Sequence, residues 1–278
     1  MKKESIGKLL KVMLFLAIIF GLFLFFTYLM RNTELNMRQN ILDYYEEDTE
    51  LDVVFIGASN IHRYWDPMKA WEQDGIATRN YAVSAMHAAT HLSAIRDALR
   101  TQNPDVIVMD VRRFCEVKDK VGTSDSARYL LDSLDFNIAR FQEVHHFCEK
   151  MNLGWKEALP YYIDLIQYHD NYEAFSTKLN WQLSDNRLGD PEKRKSFKGY
   201  ELIAVHELLE EPAGNFSTEV MEDIGKGMEL FQEILEYCKE NQIQLQLIAT
   251  PFVTSEEDEK RLTHWQKLQS SMVFHFLI

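Results

Sequence analysis

Leu51-Asp52-Val53-Val54-Phe55-Ile56-Gly57-Ala58-Ser59-Asn60, or LDVVFIGASN, is the stretch that decides the fold. Its first six residues are rich in β-branched and aromatic side chains and stop at a glycine. A short apolar run of this kind suits a strand buried on both faces, as in a parallel sheet. Outward from it, residues 68–74 have helical character and 77–83 (ATRNYAV) read as a second short strand. Residues 87–101 place Ala88, Leu92, Ile95 and Leu99 at helical spacing, and Asn103-Pro104 ends that helix. Residues 105–110 (DVIVMD) are a third buried strand. Strand, helix, strand, helix, strand at this spacing predicts right-handed crossovers and a parallel α/β sheet.

Residues of about 120–220 have few strand runs and are expected to form a mostly helical insertion, with helices over 126–132, 138–151 and 155–172 and a polar loop or solvated helix over 185–200. The α/β pattern then resumes. Residues 225–242 form an amphipathic helix with Met228, Phe231, Ile234, Leu235 and Cys238 on one side. Residues 244–250 (QLQLIAT) are a further strand, closed by Pro251.

The chain of 278 residues carries 30 Lys+Arg against 43 Asp+Glu, a net charge of −13, which argues against nucleic acid as a partner. Its three cysteines, Cys115, Cys148 and Cys238, are too few and too widely spaced for a disulfide framework or a metal motif, and are read as buried free thiols. Residues 12–30 (VMLFLAIIFGLFLFFTYLM) hold no charge. As a helix they span roughly 29 Å at 1.5 Å per residue, enough to cross a hydrocarbon core. Bulky residues continue to Met30 with no small-x-small site, which predicts an uncleaved signal anchor rather than a cleaved signal peptide. Lys2, Lys3, Lys8 and Lys11 precede the span, so the N-terminus is expected in the cytoplasm and the main domain outside the cell membrane. Residues 1–31 carry a net +4, leaving −17 on the rest. The expected organisation is a cytoplasmic N-terminus and anchor over 1–31, a juxtamembrane helix or stalk over 32–50, and one α/β domain over 51–278.

Chemistry points to the turn after the first strand. A serine there lies at the carboxyl edge of the sheet, where open α/β folds bind ligands. Gly57 permits a sharp turn, and backbone N–H groups in such a turn can hold an oxyanion. LDVVFIGASN, followed by RNYAVSAMHAATH and QNPDVIVMDVRRF, resembles the SGNH/GDSL hydrolase superfamily, and most of all its membrane-anchored branch of cell-envelope acyl-transfer proteins. The resemblance covers residues 50–114 well and 225–252 moderately. It implies a flavodoxin-like three-layer α/β/α sandwich, with Ser59 as the nucleophile and no cofactor or metal. The family's glycine after the second strand is replaced by Ser84-Ala85, where the Ala85 backbone is the expected oxyanion donor, with Asn60 as helper. The family's asparagine after the third strand is absent; Arg112 and Arg113 stand there and are expected to bind an anionic substrate. His62, three residues beyond Ser59, is expected at the mouth of the site.

The family's base, supplied as Asp-x-x-His near the C-terminus, has no counterpart in this chain; the nearest match, Glu143-Val144-His145-His146, falls inside the insertion. From Thr263 the sequence loses its period. Codon degeneracy allows a reading one base out of frame that gives TLAKAAEQYGFPFLN, an amphipathic helix and a strand. Residues 263–278 are therefore expected to be the product of a frameshift that removed the base. His87 and His91, four apart, suit a solvent-facing or capping role, since zinc needs more ligands. Trp65, Trp71, Trp155 and Trp181 are read as packing residues, with a sugar-stacking role for Trp65 if it lies near Ser59. Two functions fit: a serine ester hydrolase or O-acyltransferase acting on acylated envelope polysaccharide beside a membrane acyl-donor protein, with impaired activity, or a non-catalytic membrane-anchored binding or assembly protein.

Overall fold

The computed structural model describes residues 2–30, 35–115, 121–170, 197–201 and 225–250, with Lys260 and Thr263. The chain divides into two compact units. One combines residues 1–32 with 152–193, and the other 33–151 with 194–278.

Four short strands form the sheet of the second unit: β1 (Val53–Gly57), β2 (Thr78–Ala82), β3 (Val106–Asp110) and β4 (Leu245–Ile248). All neighbours are parallel and the order is β2-β1-β3-β4. This is the order of the first four strands of a flavodoxin-like doubly wound sheet. Side chains alternate across the sheet. Phe55, Ala82 and Val108 face one side, where they meet Ile61 and Trp65. Those two come from α3 (Ser59–Tyr64) and the residue after it; α4 (Pro67–Asp74) follows. Asp66 caps α4 by accepting the Met68 and Lys69 N–H groups at 3.0 and 3.3 Å, and Pro67 needs no partner at the first helical position. On the other side, where α5 (His91–Ala98) packs on the sheet and α11 (Lys226–Glu240) packs on α5, Val54, Ile56, Ile107, Met109, Leu245 and Leu247 are buried. Phe114 of α6 (Arg112–Cys115) joins α5 to α11, its ring centroid 4.9 Å from His91 and 5.6 Å from Phe231. The insertion supplies α7 (Ser124–Leu131) and α8 (Ile138–Lys150), each opened by a side-chain cap, Thr123 and Asn137.

The helix expected within 32–50 is α2 (Leu35–Tyr45), and it is part of the α/β unit rather than a stalk. Ile41 and Tyr44 are fully buried. Each such side chain contributes about 1.5–3 kcal/mol when removed from water, far more than a free-standing polar helix gains. Tyr45 and Tyr81 both donate to Asp97 Oδ2, at 2.6 and 2.5 Å, so α2, β2 and α5 share one buried carboxylate. The insertion also divides: α7 and α8 belong to the α/β unit, whereas α9 (Trp155–Tyr162) and α10 (Asp164–Tyr168) belong to the unit of α1 (Lys2–Met30). Within that unit α10 packs on α1. Ile6–Thr27 of α1 is long and apolar enough to cross a membrane.

Trp71 is 58% exposed and Trp155 73%, so neither serves as the packing residue that sequence suggested. Trp65 does pack, stacked on Phe55 at 4.2 Å and donating to Thr78 Oγ1 at 2.9 Å. Trp181 and the out-of-frame reading of 264–278 lie outside the described residues. Cys148 and Cys238 are buried free thiols, as expected.

Residues 197–201 run along β2. Gly199 accepts from His62 Nδ1 at 2.8 Å and has φ +83°. A Cβ there would stand 2.3 Å from the Asn80 carbonyl oxygen and 2.9 Å from Asn40 Oδ1. Gly199→Ala combines a left-handed backbone penalty with overpacking, and should cost about 2–4 kcal/mol in chemical denaturation. A loss within 0.5 kcal/mol of zero, on the scale of an ordinary surface change, would show that this segment does not hold the β2 edge.

Candidate functional site

The strand register brings four turns to one edge. Gly57 lies beside Ala82, Ile56 beside Met109, and Asp110 beside Ile248. Residues 58–60, 83–85, 110–113 and 249–250 therefore follow the strands at their shared C-terminal end, the ligand-binding edge of open α/β sheets. Gly57 is where the backbones crowd: a Cβ there would lie 2.6 Å from Ile61 Cγ1 and 3.1 Å from Asp110 Cβ. Ala58 is extended, and Ser59 begins α3 in a half-buried position. The Ile61 N–H donates back to the Ala58 carbonyl at 3.0 Å, while the Ser59 and Asn60 N–H groups are first-turn donors that helix geometry leaves without an intrahelical acceptor. Among the described residues no side-chain hydrogen bond engages the Ser59 hydroxyl.

Behind Ser59 stands a buried polar cluster that sequence reasoning missed. Asp110, 3% exposed, accepts at Oδ2 from Asn60 Nδ2 and from Thr250 Oγ1, the latter at 2.9 Å. Its Oδ1 accepts from the Arg112 and Thr250 N–H groups at 3.1 and 3.3 Å. Asn60 Nδ2 also donates to Thr250 Oγ1. Both amide protons of Asn60 are thus committed inward, and its side chain does not serve the oxyanion role expected of it. Burial pushes the Asp110 carboxyl up to about 6, against the pull of these donors. The available signal was positional: Asp110 and Thr250 are polar residues at or just past the ends of buried strands.

Ala85 follows β2 at φ +47°, a left-handed conformation that favours glycine. Arg112 and Arg113 are half-buried in α6 just past Asp110. His62 lies one turn beyond Ser59 on α3, and burial lowers its pKa below the usual histidine value. Its Nδ1 is engaged by the Gly199 carbonyl. The Glu143-to-His146 stretch lies on α8 and is used structurally: Glu143 meets Arg96 at 3.5 Å, and His146 meets Glu233 of α11 at 2.8 Å. His87 caps a 3-10 turn (Ala88–Thr90) by accepting the Ala89 N–H at 3.0 Å, and His91, the first residue of α5, is fully buried. Burial holds both at about 4, so both are neutral at pH 7. Among the described residues no group of three or more His, Cys, Asp or Glu side chains is placed to hold a metal ion.

Comparison of the chain with protein-family models, with curated proteins and with solved structures returns no match. The chemistry of this edge therefore rests on its own residues, and two measurements test its construction. Ala85→Gly relieves about 1–2 kcal/mol of left-handed strain but loses about 0.5–1 kcal/mol to the greater entropy of the unfolded chain, so it should stabilise the fold by up to about 1.5 kcal/mol; destabilisation in thermal melts would exclude a left-handed turn. Folded Asp110 keeps its proton up to about pH 6, whereas the unfolded carboxyl loses it near 3.8. Between those values the folded state binds more protons, so stability falls as pH rises from about 4 to 6. Urea titrations across that range should show this slope in the native protein and its loss in Asp110→Asn.

Proposed function

We propose that the chain is a membrane-anchored, extracytoplasmic serine esterase or O-acyltransferase of SGNH type, acting on acyl groups of an envelope glycan and impaired in turnover. One observation carries the reading: a half-buried serine with an uncommitted hydroxyl at the end of β1, beside a left-handed turn at the end of β2. In this reading Ser59 Oγ attacks the acyl carbonyl carbon. The first-turn N–H groups of α3 and the Ala85 N–H hold the oxyanion, the alcohol leaves, and a second hydroxyl or water takes the acyl group from Ser59. Arg112 and Arg113 supply positive charge for an anionic polymer or for the face of a membrane acyl donor. His62 lines the mouth. The sequence holds no Asp-x-x-His, and a general base contributes about 10²–10⁴-fold to such a reaction. The uncharged stretch of α1 with lysines before it supports an uncleaved anchor, N-terminus inside.

A non-catalytic role in envelope binding or assembly is favoured by a separate observation, the closed Asn60–Asp110–Thr250 cluster, which offers no side chain to a reacting group. A fluorophosphonate probe separates the two readings. The esterase reading expects slow labelling at Ser59, lost in Ser59→Ala, with p-nitrophenyl acetate turnover about 10²–10⁴-fold below that of a complete serine hydrolase. Equal hydrolysis by the native protein and Ser59→Ala, with no labelling, would leave the binding role.

A further inference from the structure

We infer that α9 and α10 form a collar lying in the headgroup region of the bilayer, with Trp155 and Ile166 as its lipid contacts. The inference rests on the anchor reading of α1. Residues of α1 from Ile6 to Phe26 are exposed almost throughout, as suits a helix whose solvent is lipid. Cover begins only at its end: Leu24 is half-buried, and Thr27, one turn further, is 1% exposed. Among the described residues, α10 packs on α1. The apolar span ends at Thr27, so the covered residues Leu24 and Thr27 lie at the depth where hydrocarbon gives way to headgroups.

Composition suits that depth. Residues 155–168 (WKEALPYYIDLIQY) hold Trp155, Tyr161, Tyr162 and Tyr168, the residue types of interfacial belts. Tyr161 is buried and α9 packs on α10, whereas Trp155 is 73% and Ile166 41% exposed. In water these two are bare apolar surface; at the headgroup boundary each ring or branched chain has an apolar neighbour. Lys156 Nζ lies 5.6 Å from the Trp155 ring, placing a cation beside the indole where a phospholipid phosphate would accept it. Glu157 is turned back to cap α9, accepting the Gly154 N–H at 3.0 Å, so its charge is partly used within the helix.

The test uses the full chain in phosphatidylcholine–phosphatidylglycerol vesicles carrying bromine at a shallow or a deep acyl position. Trp155 is one of five tryptophans, so shallow bromine should quench about a fifth of the emission more in the native protein than in Trp155→Phe, and deep bromine should not. Trp155 is exposed, so the variant folds, and unchanged far-UV circular dichroism checks this. Equal quenching of the two proteins in vesicles that retain the protein through carbonate extraction overturns the collar alone. Release of the protein by carbonate overturns the anchor reading, and the collar with it.

Discussion

The carboxylate of Asp110 is the constraint on which the sheet edge depends. It is buried at the end of β3 and draws donors from α3, from the first residue of α6, and from the backbone and side chain of Thr250. Asn60 and Thr250 lie 50 residues before and 140 residues after it in sequence. An acceptor placed there without them would cost several kcal/mol, because burial penalises the ionised form. With them, the ends of β1, β3 and β4 are held in one register, and the turn that carries Ser59 has a fixed floor. Ser59 remains available because its neighbour Asn60 takes the inward-facing work. The division between an outward serine and an inward asparagine follows from one turn of helix at the end of β1.

A second buried carboxylate does comparable work on the opposite face. Asp97 gathers Tyr45, Tyr81 and Arg100, and so ties α2 to the sheet. Burial raises its pKa, with the two tyrosine hydroxyls opposing. Glu47, just beyond α2, shows the reverse balance. Burial alone would raise it, yet hydrogen bonds from Lys198 and Thr49 and the Arg79 charge hold it at about 2. The α/β unit is thus closed on the α2 side by buried charges that are each paired.

What sequence revealed and what it did not divides along physical lines. The strands were legible because runs such as Val53 to Ile56 and Val106 to Met109 are apolar on both faces, which leaves few other structures open to them. The helix over 68–74 was legible from its own composition, and the structure closes it with local caps at Asp66 and Gly75. α2 was misread as a possible stalk because its composition is polar, and the partners that bury Ile41 and Tyr44 are distant in sequence. The same holds for the site. Ser59 was visible as a local turn signal after a strand, whereas the Asn60–Asp110–Thr250 cluster is assembled from three segments and leaves no local pattern. The fate of Asn60, an expected outward donor, was decided by a carboxylate 50 residues later.

The cover on β2 has a consequence for how the molecule meets others of its kind. β2 is an outer strand of the sheet, and an uncovered outer strand is a template for pairing with another chain. Asn40 Nδ2 donates to the Asn80 and Ala82 carbonyls at 3.4 and 3.1 Å, occupying outward acceptors that a foreign strand would need. Gly199 lies against the same Asn80 carbonyl. A side-chain amide and a glycine backbone therefore act as a stopper against edge-to-edge aggregation, and any additional strand must join the sheet on the side of β4.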